Sequence, residues 1–424
     1  MKRCGIYHSP LCVLVLVFFV HGIAVAAEPL PQRSVSTAEP VPVTEIRRFV
    51  SVFNAVRAAY VESVEDKALM QSAVRGLLLD LDPHSVYFDA EDARAFADSS
   101  EGNYEGIGVE VAVQDDHSLQ VIAPIEGGPA ETAGIRAGDV VISVDGKSME
   151  LLQGTEPLRG PAGTTVRLGI QRPGQKKKLT FAVERAAIHM SSVRSRMLEP
   201  GYGYLRISNF QADTGADFVR HATRLAESNG GLKGLLLDLR ANPGGLLTAA
   251  VDVADSLLHS GSIVSTRGRL PASDTQFDAT AGAILEDIRI VVMVDGASAS
   301  AAEVLAAALR DNERARLFGS RTFGKGSVQN VLPLDNGDSV KLTTARYYTP
   351  SGRSIQGVGI TPDHVVDVPS GERSADDALR EADLAGHLLG DAEDSKSETS
   401  SPGLVLHGDE YIGQALDYMK LGFN

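Results

Sequence analysis

The sequence predicts a multidomain α/β protein with a helical N-terminal segment, a small β-rich domain, an α/β core and a helical C-terminal tail. Three observations support this class. The 424 residues are too many for one ordinary domain. Hydrophobic residues make up 43% of the chain, which is enough to form packed cores. The apolar pattern changes from helical spacing before residue 100 to short alternating strands, and later to strands alternating with helices.

The changes of pattern also place the domain boundaries. The predicted divisions are a signal peptide at 1–27, a disordered lead-in at 28–43, a helical segment at 44–100, a β-rich domain at 101–187, an α/β core at 188–369 and a polar, partly helical region at 370–424. The lead-in is rich in Pro, Ser and Thr and has no periodicity, so we expect no fixed structure there.

The first 27 residues have the pattern of a secretory signal. Lys2 and Arg3 precede an apolar run at 11–20, and small residues follow at 24–27. The run is short for a membrane span, which needs about 20 residues. We therefore expect export to the periplasm after cleavage, with an uncleaved membrane anchor as the alternative.

Cysteine content and charge exclude several functions. Cys4 and Cys12 both lie in the signal, so the mature chain has no cysteine for disulfides or thiol catalysis. Removing the signal removes two basic residues, which makes the mature charge (40 − 2) − 55 = −17. An acidic chain without long basic runs is a poor partner for nucleic acid.

The N-terminal segment shows amphipathic helices. One apolar stripe runs from Ile46 to Tyr60, a second runs from Leu69 to Leu81, and a shorter helix is expected from Glu91 to Asp98. Two such helices cannot bury their stripes against each other well. We expect them to pack on another domain or, preferably, to form a dimer. His84, in the following Asp-Pro-His-Ser sequence, is interpreted as a cap or a surface residue.

The β-rich stretch resembles a PDZ domain of the bacterial protease type. The residues that carry the resemblance are Tyr104-Glu105-Gly106-Ile107-Gly108, Gly128-Pro129-Ala130, Ala133-Gly134-Ile135 and Ala137-Gly138-Asp139-Val140-Val141. Such domains bind a peptide C-terminus as an added strand, with its carboxylate on backbone N–H groups. Gly106, Ile107 and Gly108 are the predicted carboxylate-binding loop.

The α/β core is predicted to contain a mainly parallel sheet. Strands are expected at 201–210, 234–240, 262–269, 288–294 and 315–320, with helices between them. A hairpin follows, with Asn336-Gly337 as its turn. Residues 391–403 have the composition of a flexible link, and a last helix is expected within 404–424, with Ile412, Leu416, Met419 and Leu421 as its apolar stripe.

The candidate chemistry lies around the strand at 288–294. Ser300 follows it at the start of a helix, where the N–H of Ala301 has no partner within the helix. Gly244 and Gly245, after a neighbouring strand, offer further N–H donors for an oxyanion. Lys325 lies between two glycines and could act as a base if burial kept it neutral. Gln329 lies four residues later, on the same face if the segment is a strand.

Each feature taken singly has a plainer explanation. Small residues beside Ser300 could serve packing, Lys325 could be a surface charge, and residues 242–245 could be an ordinary turn. The sequence 319–326 nearly matches a phosphate-binding loop, but Gly326 replaces the required Ser or Thr. No zinc-binding motif is present, so neither a metal nor another cofactor is expected.

The combination resembles the carboxyl-terminal processing peptidases, which are tail-specific serine endopeptidases. The resemblance covers about residues 45–390 and rests on these motifs: Leu81-Asp82-Pro83-His84-Ser85, Asp238-Leu239-Arg240-Ala241-Asn242-Pro243-Gly244-Gly245, Ser298-Ala299-Ser300-Ala301-Ala302-Glu303, Gly324-Lys325-Gly326-Ser327-Val328-Gln329, Tyr348-Thr349-Pro350-Ser351-Gly352-Arg353 and Gly359-Ile360-Thr361-Pro362-Asp363. It implies a crotonase/ClpP-like protease core with Ser300 as nucleophile, Lys325 as base and Gln329 as the residue that orients the base.

The resemblance also concerns two further positions. Asp295 stands where the family usually has Asn, a change that leaves the chemistry untouched. Arg159 matches a position where the family often has arginine, and it could couple the PDZ domain to the core. A surface arginine that fixes its own loop is an equal alternative.

The sequence thus predicts an exported serine endopeptidase that recognises C-terminal tails of proteins and cleaves through an acyl-enzyme. Its expected partners are substrates with exposed C-termini, further copies of itself and an activating adaptor. The alternatives are a catalytically silent PDZ scaffold on the same fold and a crotonase-like acyl-transfer enzyme.

Overall fold

The computed structural model describes residues 41–114, 116–125, 127–152, 154–228, 231–366, 379–391 and 404–422. The predicted signal peptide and nearly all of the predicted lead-in lie outside the described residues, as does most of the stretch 391–403. The chain divides into two compact units, Met1–Leu69 and Met70–Asn424. In the part of the chain that the structure describes, no helix has the length and apolar character needed to cross a bilayer.

The described part of the first unit contains helix α1, Val43–Ala59, and the start of α2, Asp66–Leu79. Both helices confirm the predicted periodicity. No residue of α1 is buried, and its apolar stripe, which includes Ile46 and Phe49, is exposed. Dimerisation through this stripe stays a prediction.

After α2, a turn at residues 82–85 leads into strand β1, Val86–Phe88, and helix α3, Ala90–Ser100. The Asp89 carboxylate caps α3 by accepting the N–H groups of Glu91 and Asp92 at 3.1 and 3.0 Å. The interpretation of His84 as a cap or surface residue is wrong. Its side chain is only 17% exposed, and its Nε2 lies 2.8 Å from the Glu381 carboxylate.

The β-rich region follows the predicted alternation. Its elements are β2 Asn103–Gly106, β3 Val109–Val113, β4 Leu119–Pro124, α4 Pro129–Thr132, β5 Val140–Val144, β6 Lys147–Ser148, α5 Met149–Leu152, β7 Thr165–Gln171, β8 Leu179–Glu184 and β9 Ala186–His189. Strands β3, β4, β5, β7 and β8 form one antiparallel sheet around a buried core of aliphatic side chains. Strands β2 and β9 pair separately, so the chain enters and leaves this region side by side.

The α/β core follows directly. Its elements are β10 Val193–Glu199, β11 Tyr202–Ile207, α6 Thr214–Ala226, β12 Gly234–Asp238, α7 Leu247–Leu257, β13 Ser262–Gly268, β14 Thr275–Asp278, β15 Arg289–Val294, α8 Ala301–Asp311, β16 Arg316–Gly319, β17 Ser327–Pro333, β18 Ser339–Tyr348, β19 His364–Val365 and α9 Glu410–Leu421. The predicted multidomain α/β class is confirmed by these elements.

The main sheet has the order β10-β11-β12-β15-β16-β19, and every pair except β10–β11 is parallel. Alternate side chains of β12 and β15 enter two different cores. Leu235 and Val292 pack with α6, α7 and α8, whereas Leu236 and Val291 pack with the C-terminal segment. Burial on both faces explains why these strands are continuous apolar runs in the sequence.

A second, antiparallel sheet is built on β18, which pairs with β1, β13 and β17. The predicted hairpin at Asn336-Gly337 joins β17 to β18 and is confirmed. Strand β13 belongs to this sheet, although its sequence position among helices suggested the parallel one. Its partner β18 lies about eighty residues later, beyond the reach of a local pattern.

Helix α9 completes the face of the main sheet opposite to α8. Ile412 and Met419 of its predicted stripe are buried there, but Leu421 is 81% exposed and does not belong to the packed face. The C-terminal helix is therefore part of the core in this structure.

Candidate active site

Ser300 lies where β15 turns into α8, at the carboxyl end of a central parallel strand. Its backbone has φ 55° and ψ −116°, and the residue is only 7% exposed. A non-glycine residue with positive φ is uncommon and costs free energy. Such a conformation persists only where the surroundings fix it, so the contacts of this turn are informative.

A buried carboxylate one helical turn later connects two halves of the site. Glu303 Oε2 accepts the N–H groups of Ser300 and Lys325, both at 2.9 Å. Its Oε1 accepts the Gly324 N–H at 2.8 Å and the Thr322 hydroxyl. Burial raises the pKa of Glu303 to about 7, although these hydrogen bonds oppose the rise. One side chain thus holds the serine turn and the lysine loop together.

Lys325 lies in the loop between β16 and β17 and is half-buried. Burial lowers the pKa of its amine below the usual value, and the positive charge of Lys341 lowers it further. The carboxylates of Glu381, Glu303 and Asp82 act in the opposite direction without reversing the shift. The neutral amine that a general base requires is therefore available at lower pH than for a free lysine.

Gln329 lies on β17, and its amide nitrogen has two partners. Nε2 donates to Ser327 Oγ at 3.0 Å and to Thr343 Oγ1 at 3.3 Å. Both amide hydrogens are thereby used, which leaves the amide oxygen as the group that can accept from another side chain.

The three predicted catalytic side chains line one cavity of about 610 Å³, together with Gly245 and Tyr347. In the described part of the chain, no hydrogen bond joins Ser300 Oγ to Lys325 Nζ. Tyr347 lies at Ser300 instead. Burial raises the pKa of Tyr347 to about 12, and a hydrogen bond with Ser300 opposes this rise.

The predicted oxyanion donors differ in availability. The Gly244 N–H donates to Asn242 Oδ1 at 2.8 Å, so it is already paired. Among the described residues, the N–H groups of Ala301 and Gly245 have no protein acceptor. Gly244 also packs closely against the turn, because a Cβ placed on it would lie 2.8 Å from Ser300 Cβ. The freer pair of donors is therefore Ala301 and Gly245.

Buried polar contacts join the two loops that carry these donors. Ala299 N–H donates to the Asn242 carbonyl at 2.9 Å. The Asp295 carboxylate accepts the N–H of Ala241 at 2.9 Å, and burial raises its pKa. Asp295 thus connects the ends of β12 and β15, a role that needs only its acceptor oxygen.

The predicted peptide-binding loop lies beside a second, smaller cavity of about 140 Å³. Ile107 and Gly108 line it, with Leu158 and Tyr104. Gly106 does not line it, because it belongs to β2 and pairs with Ala186. The Tyr104 hydroxyl interacts with the backbone of Gly108, and burial raises its pKa.

Arg159 lies at the rim of this second cavity. Its guanidinium carbon is 5.7 Å from the centre of the Tyr104 ring, and its Nε is 3.8 Å from the Glu156 carboxylate. Its backbone bridges to Gly106. Arg159 therefore lines the predicted peptide groove, and among the described residues its side chain has no hydrogen bond or ion pair with Ser300, Lys325 or Gln329.

Glu303 and Tyr347 were not predicted as site residues. Glu303 stands three residues after Ser300, the spacing of a helix capping box, which was the available signal. Tyr347 offers no such signal, because only the pairing of β18 shows which face it takes. Among the described residues, no group of three or more His, Cys, Asp or Glu side chains is placed to hold a metal ion.

Comparison with protein families gives three matches. Residues 201–366 match the model "Peptidase family S41", residues 120–172 match a PDZ domain, and residues 21–92 match the "Activating protease CtpB N-terminal domain". The peptidase match lies within the predicted α/β core, and the PDZ match lies within the predicted PDZ domain.

Curated relatives carry the same type of name. The chain is 41% identical over 396 residues to a carboxy-terminal-processing protease of Bartonella bacilliformis, covering 91% of each chain. It is 33% identical to carboxy-terminal processing protease CtpB of Bacillus subtilis, over 75% of this chain and 67% of that protein. The solved structure of a photosystem II D1 C-terminal processing protease matches 76% of this chain and 93% of that one, with 31% identity and a TM-score of 0.46.

The Gly245→Ala variant tests the loop that carries one oxyanion donor. A Cβ at Gly245 would lie 2.2 Å from the Phe210 carbonyl oxygen, and the residue has φ 138°. Since the loop must move away, we expect kcat to fall about hundredfold, the effect of losing one oxyanion donor. Gly174→Ala is the matched control, because its φ is 80° but nothing lies within 4 Å of its Cβ. Unchanged kcat for Gly245→Ala would contradict this role.

The Glu303→Gln variant tests the carboxylate that joins the two loops. The amide nitrogen of glutamine would take the place of a carboxylate oxygen that now accepts backbone N–H groups. Two donors would then face each other. We expect the free energy of unfolding to fall by about 1–3 kcal/mol and peptide cleavage to fall with it. The exposed Glu227→Gln variant, measured alongside in urea denaturation and cleavage assays, should behave as wild type. Equal stability and activity of the two variants would show that Glu303 is dispensable.

Proposed function

The chain belongs to the carboxy-terminal processing proteases of peptidase family S41, and from this we propose that Ser300 is the nucleophile of an endopeptidase in which Lys325 is the general base. The observation that carries the proposal is the common cavity of Ser300, Lys325 and Gln329. Burial of the Lys325 amine also supports the proposal. Burial favours the neutral amine, and a base must be neutral to accept a proton.

The proposed reaction has two halves. In acylation, the Ser300 hydroxyl proton passes to Lys325 Nζ while Oγ attacks the substrate carbonyl. The N–H groups of Ala301 and Gly245 stabilise the oxyanion, and the Lys325 ammonium then returns its proton to the leaving amine. In deacylation, Lys325 takes a proton from water, which attacks the acyl carbon. The bond from the acyl carbon to Ser300 Oγ then breaks, Lys325 returns the proton to Oγ, and the new carboxylate leaves. Gln329 orients the amine, and no cofactor takes part.

The PDZ domain is the proposed recognition site for the C-terminal tail of a protein substrate. Its groove is lined by apolar side chains such as Ile107 and Leu158, which suits an apolar C-terminal residue. Backbone N–H groups near Gly108 would bind the carboxylate once Tyr104 moves aside. Residues 21–92 of this chain match a model named for the N-terminal domain of an activating protease, which supports activation by a partner or by peptide.

Cellular location and assembly complete the proposal. The signal pattern supports export to the periplasm, and the exposed stripe of α1 supports a homo-oligomer, most simply a dimer. A second candidate function is a catalytically silent PDZ scaffold. Among the described residues, Ser300 Oγ and Lys325 Nζ share no hydrogen bond, which favours the scaffold only if peptide binding fails to bring the two atoms together.

Cleavage assays with a Ser300→Ala variant and a pH profile test the mechanism. The substrate is an unfolded protein with an apolar C-terminus, offered to the purified chain. We expect Ser300→Ala to lose at least about a thousandfold in kcat. For the wild type, kcat/KM should rise with pH as Lys325 loses its proton, with the midpoint below the usual 10.5 of lysine.

Two results would contradict the mechanism. Cleavage by Ser300→Ala at the wild-type rate would remove the nucleophile. A midpoint at or above the usual lysine value would remove Lys325 as a desolvated base. Tight binding of the C-terminal peptide without any cleavage, in both proteins, would favour the scaffold.

Arg159→Ala tests the proposed coupling of the PDZ domain to the core. If Arg159 couples the PDZ domain to the core, its loss should impair cleavage of a protein substrate several-fold. The Kd for a C-terminal peptide, measured by fluorescence anisotropy, should change little, because Ile107, Gly108 and Leu158 still line the groove. Arg185→Ala removes the arginine whose Nε donates to the Leu158 carbonyl at 3.3 Å, and it is the control for loop destabilisation. Unchanged turnover by Arg159→Ala would leave that residue a surface arginine that fixes its loop.

A further inference from the structure

The turn at residues 82–85 is built around one buried carboxylate. Asp82 is 5% exposed, and its Oδ1 accepts the N–H groups of His84 and Ser85 at 2.8 and 2.9 Å. Its Oδ2 accepts the Ser85 hydroxyl at 2.7 Å. The same Oδ1 accepts the hydroxyl of Thr343, which lies on β18, at 3.1 Å. The turn is therefore attached to the strand next to Gln329.

The contact with Thr343 has a direction. An ionised carboxylate only accepts, so the single hydroxyl proton of Thr343 must point to Asp82. The hydroxyl oxygen of Thr343 then accepts a hydrogen bond from Gln329 Nε2, at 3.3 Å. With Ser327 as its second acceptor, Gln329 uses both N–H bonds and keeps its oxygen for the cavity. Asp82 thus determines which end of the Gln329 amide faces the cavity.

A second arm leaves the same turn through His84. The His84 Nε2 lies 2.8 and 3.0 Å from the two oxygens of Glu381, which is fully buried. Glu381 Oε1 accepts Gln356 Nε2 at 2.8 Å, and Gln356 Oε1 accepts the Gly326 N–H at 2.9 Å. The second arm therefore ends on the residue directly after Lys325.

We propose that the turn at residues 82–85 is a positioning element for the general base, which rests on the proposed roles of Lys325 and Gln329. Asp82, through Thr343, fixes Gln329 with its amide oxygen toward the Lys325 amine. His84, through Glu381 and Gln356, fixes the Lys325 loop. These residues act through others and do not touch substrate.

The orientation of Gln329 matters for proton transfer. In the proposed arrangement, the amide oxygen accepts an N–H of Lys325, and the lone pair of the amine stays free for the Ser300 proton. If the amide turned, its N–H would donate to that lone pair and block the base. A purely structural role requires only that the turn at residues 82–85 be attached to β18. Positioning of the general base also requires that each hydrogen bond have the stated direction.

The Thr343→Val variant breaks the directed chain while keeping side-chain size. We expect a loss of roughly tenfold or more in kcat, with KM and thermal stability close to wild type. This loss is only part of the rate factor that a general base contributes, because Lys325 is still present but less well positioned. Thr343→Ser keeps the hydroxyl and should restore most of the rate. Thr344→Val is the matched control. The Thr344 hydroxyl accepts from the amide of the exposed Asn330 and takes no part in the hydrogen bonds that join Asp82, Thr343 and Gln329.

The pH profile separates positioning from simple destabilisation. Lys325 is surrounded by Lys341 on β18, Glu381, Glu303 on α8 and Asp82 in the turn. Loss of the Gln329 oxygen as an acceptor disfavours the ammonium, so the acid limb of kcat/KM should move to lower pH in Thr343→Val. Asp82→Asn should move it the same way, since the Asp82 charge raises the pKa of Lys325. A structural defect alone would lower the plateau of kcat/KM without moving its acid limb to a different pH.

Each result decides between defined outcomes. Wild-type rates for Thr343→Val, or a lower plateau with an unmoved limb, would overturn the positioning role. Absence of cleavage by the wild type itself would instead overturn the proposed function. Ser300→Ala shows whether measured cleavage comes from this protein, because a contaminating protease would act in that preparation as well.

Discussion

The site depends on the buried carboxylate of Glu303. It is the point where the start of α8 and the loop after β16 share one acceptor group, with Ser300 and Lys325 bonded through their N–H groups to the same oxygen. Burying a carboxylate is costly unless donors replace its water, and here four donors do so. Burial raises the pKa of Glu303 to about 7, although these hydrogen bonds oppose the rise. The proposed nucleophile and the proposed base are thus related through backbone contacts before any contact between their side chains forms.

The two sheets supply the surroundings that this contact needs. The parallel sheet brings the ends of β12 and β15 side by side, where Asn242 and Asp295 bond the two loops to each other. The antiparallel sheet, centred on β18, brings Tyr347 to the cavity, and its Thr343 connects Gln329 to the turn at residues 82–85. The strained backbone of Ser300 persists because both loops are held on several sides.

Much of this could be predicted from sequence, and the remainder has identifiable causes. The buried run of β15 and the small-residue turn after it indicated Ser300, and the glycines around Lys325 indicated a constrained lysine. Those signals are local. The pairing of β13 with β18 is not local, and neither is the packing of α9 on the main sheet, so periodicity could not show them. His84 and Glu381 are 297 residues apart, and only the fold makes them neighbours. The N–H of Gly244 is occupied because it donates to the Asn242 side chain, whereas the N–H of Gly245 is available. No sequence pattern reveals this hydrogen bond.

Hydrogen exchange measured by mass spectrometry tests the shared role of Glu303 most directly. The wild type, Glu303→Gln and the control Glu227→Gln would be compared at peptides covering residues 296–304 and 321–328. If one carboxylate joins the two segments, exchange should become faster in both of them together in Glu303→Gln, and in neither of them in Glu227→Gln. Faster exchange in only one segment, or in neither, would contradict the account.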